Sequence, residues 1–90
     1  STSSALLLKD AGKTLTVYPN PVSHSLHVDL MGIEGMGTLS ILTLEGKEMQ
    51  LQNTQGERVA TLDVRSLPKG MYLCRYSSST EIRTVKIIKH

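Results

Sequence analysis

The sequence predicts an all-β fold, a seven-stranded antiparallel β-sandwich of immunoglobulin-like type. Three observations carry this. Apolar residues recur with period two in seven short runs. Turn residues separate those runs at the roughly 8–12-residue intervals typical of sandwiches. No long window shows the 3.6-residue period of an amphipathic helix. Many short strands with Gly- and Pro-rich turns fit two packed sheets. The buried Trp and disulfide of antibody domains are absent, because the chain has no Trp and one Cys, so the pattern implies the architecture alone.

The elements follow in order. Thr14 to Tyr18 alternates, with Leu15 and Val17 on one face. Pro19-Asn20-Pro21 ends that strand, since two prolines remove two backbone donors and hold Asn20 extended. His24 to Leu30 sets Leu26, Val28 and Leu30 to one side, and Met31 to Gly37, with three glycines, reads as a loop. Thr38 to Leu44 pairs Leu39 with Ile41 but puts Leu42 and Leu44 on the opposite face, which predicts a strand covered on both sides or a bulge. Glu45-Gly46 is a hairpin turn, and Lys47 to Gln52 returns with Met49 and Leu51 in phase. Asn53 to Gly56 reads as a polar turn, and Arg58 to Val64 brings Ala60, Leu62 and Val64 into phase. Leu67-Pro68-Lys69-Gly70 has the signature of a type I turn. Met71 to Ser77 aligns Tyr72, Cys74 and Tyr76; Ser77 to Thr80 turns the chain; Ile82 to Lys89 sets Val85 and Ile87 against Lys86 and Ile88. The expected core is Leu26, Val28, Leu39, Ile41, Leu62, Tyr72 and Cys74. Residues 1–13 read as a tether before a single domain over 14–90.

Composition narrows function. Ninety residues make one domain with a modest core. The chain is 39% apolar without Trp or Phe, so aliphatic packing carries the fold. Three Tyr are the only aromatics, which argues against sugar stacking, methyl-lysine cages and stacked single strands. The net charge of +2 is too small for nucleic-acid or membrane affinity by charge alone. It is uneven: residues 1–45 carry two bases and four acids, residues 46–90 eight bases and four acids. Cys74 has no internal disulfide partner. Ala5 to Leu8 is too short to span a membrane, and no basic residue precedes it. Composition leaves open a cytosolic protein and a piece of an exported one.

Three segments in order carry a resemblance: Val17-Tyr18-Pro19-Asn20-Pro21, the hairpin Leu39 to Gly46-Lys47, and Leu67-Pro68-Lys69-Gly70-Met71-Tyr72 leading to Val85-Lys86-Ile87-Ile88-Lys89. Over about residues 14–90 the chain resembles the C-terminal sorting domains of type IX secretion cargo. The resemblance implies a secretion signal, not an enzyme. It implies partners in the outer-membrane type IX machinery, a sortase-like peptidase that removes the domain, and an upstream cargo domain of the same chain. It implies periplasmic transit, then the outer membrane, cell surface or medium, with cargo joined to a lipopolysaccharide anchor. No nucleic acid and no cofactor is implied. Two positions depart from the family pattern: His90 follows the terminal Lys, and Cys74 stands where an aliphatic residue is usual. Translocon recognition is expected at Pro19, Asn20, Pro21, Gly70, Tyr72, Arg83, Lys86, Ile87 and Lys89.

Other constellations carry little chemistry. His24 and His27 fall on opposite faces of a strand, and no Cys or carboxylate cluster completes a metal site. Ser23-His24-Ser25 lacks a nucleophile elbow. Gly32, Gly35 and Gly37 precede a strand, where a phosphate loop needs a helix. Cys74 lies between two tyrosines on a buried face, so its thiol is expected to be inert. Arg83, Lys86 and Lys89 make the terminal strand basic, which suits either a protected edge or strand addition to a receptor. An adhesion or carbohydrate-binding module of a secreted protein is the alternative reading, and a domain that only oligomerises through its edges is a third.

Overall fold

A computed structural model describes residues 15–33 and 35–90. The tether expected over 1–13 lies outside the described residues. The strands are β1 (Thr16–Tyr18), β2 (Ser25–Asp29), β3 (Met36–Leu42), β4 (Glu48–Gln55), β5 (Val59–Asp63), β6 (Gly70–Ser77) and β7 (Ile82–Lys89). No helix occurs among the described residues. The strands form two antiparallel sheets, β1-β2-β5 and β4-β3-β6-β7.

The alternation read from the sequence is what joins the sheets. Leu26, Val28, Ala60 and Leu62 come from the first sheet, and Leu39, Ile41, Tyr72, Cys74, Tyr76 and Ile87 from the second. They meet in one buried cluster, which contains every residue of the expected core. Aliphatic burial dominates it. Each such side chain contributes about 1.5–3 kcal/mol relative to exposure, so Leu62→Ala costs roughly 2–5 kcal/mol. The ring of Tyr76 lies on the backbone of Gly37, where a Cβ would fall 2.5 Å from the Tyr76 hydroxyl oxygen. Only glycine lets β3 and this ring approach so closely.

Several boundaries differ from the sequence reading. β3 starts at Met36, so the loop before it is shorter than expected. Leu44 is exposed in the hairpin turn instead of extending β3. That turn closes through Thr43 N–H donating to Lys47 O at 2.8 Å, and Gly46 supplies a φ of +97°. A bulge does interrupt this pairing, but it lies on β4 and not on the strand expected to carry it. Ile41 faces Gln50 while Leu42 faces Glu48, leaving Met49 as the extra residue. The insertion resets the phase of the strand. Met49 packs on the core, but Gln50, Gln52 and Thr54 then turn inward and Leu51 is 55% exposed. Met49 and Leu51 are therefore not on one face. β4 also runs through Asn53–Gln55, where a turn was expected. Thr54 is buried, and its hydroxyl accepts the Gly37 amide at 3.0 Å. The turn before β6 closes three residues earlier than expected, over Val64–Leu67, through Leu67 N–H to Val64 O at 3.1 Å, and Gly70 opens β6 with a φ of +149°.

Candidate functional site at the end of the last strand

All but Arg83 of the residues expected to be read by the translocon converge on one end of β7. β7 is the edge of its sheet, paired on one side with β6. Gly70 lies opposite Lys89 and Tyr72 opposite Ile87. Pro19, Asn20 and Pro21 are exposed and lie along the other side. The Tyr18–Pro19 and Asn20–Pro21 peptide bonds are both cis. The Asn20 side chain grips the β7 backbone twice. Its Nδ2 donates to Lys86 O at 3.1 Å, and its Oδ1 accepts Ile88 N–H at 3.0 Å. Val22 N–H then donates to Ile88 O at 2.8 Å, and His90 N–H donates to Val22 O at 2.9 Å. Val22 and Lys89 form a parallel bridge.

A carboxamide has a donor and an acceptor side by side, like a peptide group, so it can extend a β-ladder. Asn20 does so here, and Val22 completes the pairing with its own backbone. Pro19–Pro21 do more than end the first strand. β1 and β2 are neighbours in one sheet, and the segment between them ties that sheet to the edge of the other. The expectation of open backbone groups along the terminal strand is overturned for its last residues, because residues 20–22 already occupy them.

The three bases do not share a face. Strand alternation puts Arg83 and Lys89 on the side of buried Ile87 and Lys86 on the opposite side. Arg83 Nε donates to Glu81 Oε1 at 2.6 Å in a partly buried pair. Arg83 also sits about 10 Å along the strand from Lys86, apart from the other eight residues. Lys89 is 7% exposed, and its Nζ donates to His90 O at 3.2 Å. Lys86 alone of the three is exposed. Tyr72 and Ile87 are buried. The Tyr72 hydroxyl donates to Pro68 O at 2.6 Å, fixing the entry to β6. The surface of this end is thus Pro19, Asn20, Pro21, Gly70 and Lys86, with Tyr72, Ile87 and Lys89 beneath it. Sequence reasoning missed Val22, which is 1% exposed. Its signal was an isolated apolar residue directly after Pro21.

Elsewhere the chemistry is sparse. His27 Nδ1 lies 3.1 Å from Thr61 Oγ1, and its ring packs against Tyr18 at 5.2 Å. Among the described residues no cluster of three or more His, Cys, Asp or Glu is placed to hold a metal. Burial pushes the Cys74 thiol up to about 12, so it stays protonated at neutral pH. An open cleft of about 490 Å³ runs along residues 36–38, 53–55 and 77–78, which include no titratable side chain.

The chain matches the family described as the secretion system C-terminal sorting domain over residues 16–90. No curated protein matches it. The matched span begins at β1 and takes in all seven strands and the gripped end of β7. The chain belongs to the C-terminal sorting-domain family of type IX secretion.

Proposed function

We propose that this domain acts as a C-terminal secretion signal and not as an enzyme. It directs an upstream cargo domain of the same chain from the periplasm through the outer-membrane type IX machinery, to the cell surface or the medium. A sortase-like peptidase then cuts in the residues before β1. Extended, unpaired backbone is what a peptidase needs, and strand residues are held in ladders. The fold itself is read as immunoglobulin-like. Tyr72 stands two residues before Cys74 on β6, and its hydroxyl reaches back to Pro68 O, in the manner of a tyrosine corner.

The observation that carries the recognition reading is the convergence of three segments far apart in sequence on one end of β7. In this reading Pro19, Asn20, Pro21, Gly70 and Lys86 meet the machinery. Tyr72, Ile87 and Lys89 hold that surface in shape, and Arg83 anchors the far end of the strand. The test fuses residues 1–90 behind an exported reporter in a bacterium with the type IX machinery. Lys86→Glu, with an unchanged denaturation midpoint, should leave the reporter in the periplasm. Normal export of that variant removes Lys86 from the recognised surface. Normal export after deletion of residues 15–90 overturns the sorting reading itself.

A further inference from the structure

The face of the β4-β3-β6-β7 sheet turned away from the core carries one apolar stripe beside polar rows that include Arg75, Ser40 and Thr38. Tyr72, Cys74 and Tyr76 point inward, so alternation turns Met71, Leu73 and Arg75 outward. Leu39 and Ile41 point inward on β3, so Leu42 points outward. Leu42 is only 6% exposed, yet it lies outside the core cluster. One row crosses the whole face. Lys86 is opposite Leu73, Leu73 is opposite Leu42, and Leu42 is opposite Glu48. Exposed Met71 and Ile88 form the next pair on one side, and exposed Leu51 lies on the other.

The row therefore reads cation, leucine, leucine, anion from one margin of the sheet to the other. At ~4.8 Å per strand step its ends lie about 14 Å apart. Lys86 and Glu48 have no ion-pair partner among the described residues. Such a row is its own complement when reversed. A two-fold axis along the strands, between β6 and β3, performs that reversal. It lays Lys86 over Glu48 of the second copy, Leu73 over Leu42 of the second copy, and the converse by symmetry. Strands of the two copies then run nearly aligned, the usual geometry of stacked sheets.

We propose that this chain self-associates as a two-fold dimer through the outer face of its four-stranded sheet, with Lys86 and Glu48 pairing between copies. Leu73 and the exposed Met71 and Ile88 supply apolar contact over the covered Leu42, and the charges at the margins set the register. The face is about 15–20 Å wide, at the low end for stable interfaces. The dimer is accordingly weak, with a Kd on the order of 10–1000 µM, and weakens with salt.

Sedimentation equilibrium of the 90-residue chain at low salt, up to about 1 mM, tests this. Lys86→Glu and Glu48→Lys should each weaken self-association about tenfold or more. An equimolar mixture of the two variants should restore dimers, because each row then meets its opposite. Leu73→Glu should abolish pairing while the denaturation midpoint shows the domain folded. A chain that stays monomeric throughout overturns the proposal. So do dimers indifferent to both charge reversals, which would place the contact on a strand edge, and single variants whose mixture fails to associate. The proposal stands apart from the sorting reading: Glu48→Lys should break pairing and leave reporter export intact.

Discussion

The Asn20 grip on β7 can be dismantled one atom at a time. Asn20→Ala removes both side-chain bonds to the terminal strand. A hydrogen bond contributes about 0.5–1.5 kcal/mol net, and these two are exposed, so water replaces part of the loss. The expected cost is roughly 1–2 kcal/mol. With a urea dependence near 1 kcal/mol per molar for a domain of this size, the midpoint falls by about 1–2 M. Asn20→Asp is the sharper variant, because it changes one atom and no volume. Its carboxylate still accepts the Ile88 amide, but it also opposes Lys86 O, 3.1 Å from where the donor nitrogen was. At pH 7 it should be at least as damaging as Asn20→Ala. On acidification the protonated acid regains a donor toward Lys86 O. The folded state then binds the proton more tightly than the unfolded one, so stability relative to wild type rises as pH falls below about 5. Urea titrations at pH 7 and pH 4, with hydrogen exchange at the Ile88 amide, measure both effects. An Asn20→Asp variant as stable as wild type at pH 7, or one with no relative recovery in acid, would refute the reasoning.

Two further predictions concern the core. The tyrosines on β6 should respond oppositely to loss of their hydroxyls. Tyr72→Phe breaks the bond to Pro68 O and should cost about 0.5–1.5 kcal/mol. The buried Tyr76 hydroxyl has no partner among the described residues, so Tyr76→Phe should be neutral or stabilising in the same denaturation assay. Cys74 should resist thiol reagents at pH 8 until denaturant unfolds the domain, because burial raises its pKa from 9.0 to about 12. Between those values the unfolded chain releases a proton that the folded chain keeps. Stability should therefore decline as pH rises, by up to ~1.4 kcal/mol per pH unit, and Cys74→Ala should lack that part of the slope.

Where hydropathy alternates cleanly, the sequence and the structure agree. Leu26 with Val28, Ala60 with Leu62, and Tyr72 with Cys74 and Tyr76 all face inward as their period requires. β4 was misread because its inward residues after the bulge are Gln50, Gln52 and Thr54, which carry no apolar signal. A single extra residue, Met49, moved Leu51 to the solvent face, and no residue type marks such an insertion. The separation of Lys86 from Arg83 and Lys89 was legible, since odd and even positions of one strand point apart. The grip of Asn20 was not. It depends on a side chain standing in for backbone across 66 and 68 residues of chain, and local patterns are silent about contacts at that range.

That range has a consequence for how the domain comes to be folded. During synthesis the first half of the clasp, residues 20–22, emerges long before residues 86–90, the other half. At about 5–20 residues per second several seconds separate the two. Pairings this remote in sequence close late, after the loop entropy of everything between has been overcome. A chain broken off before Lys86 would carry Asn20 and Val22 with nothing to hold, and their ladder groups would stay in water. Closure of this end therefore requires residues 86–90, so a product cut off before Lys86 never displays the same surface.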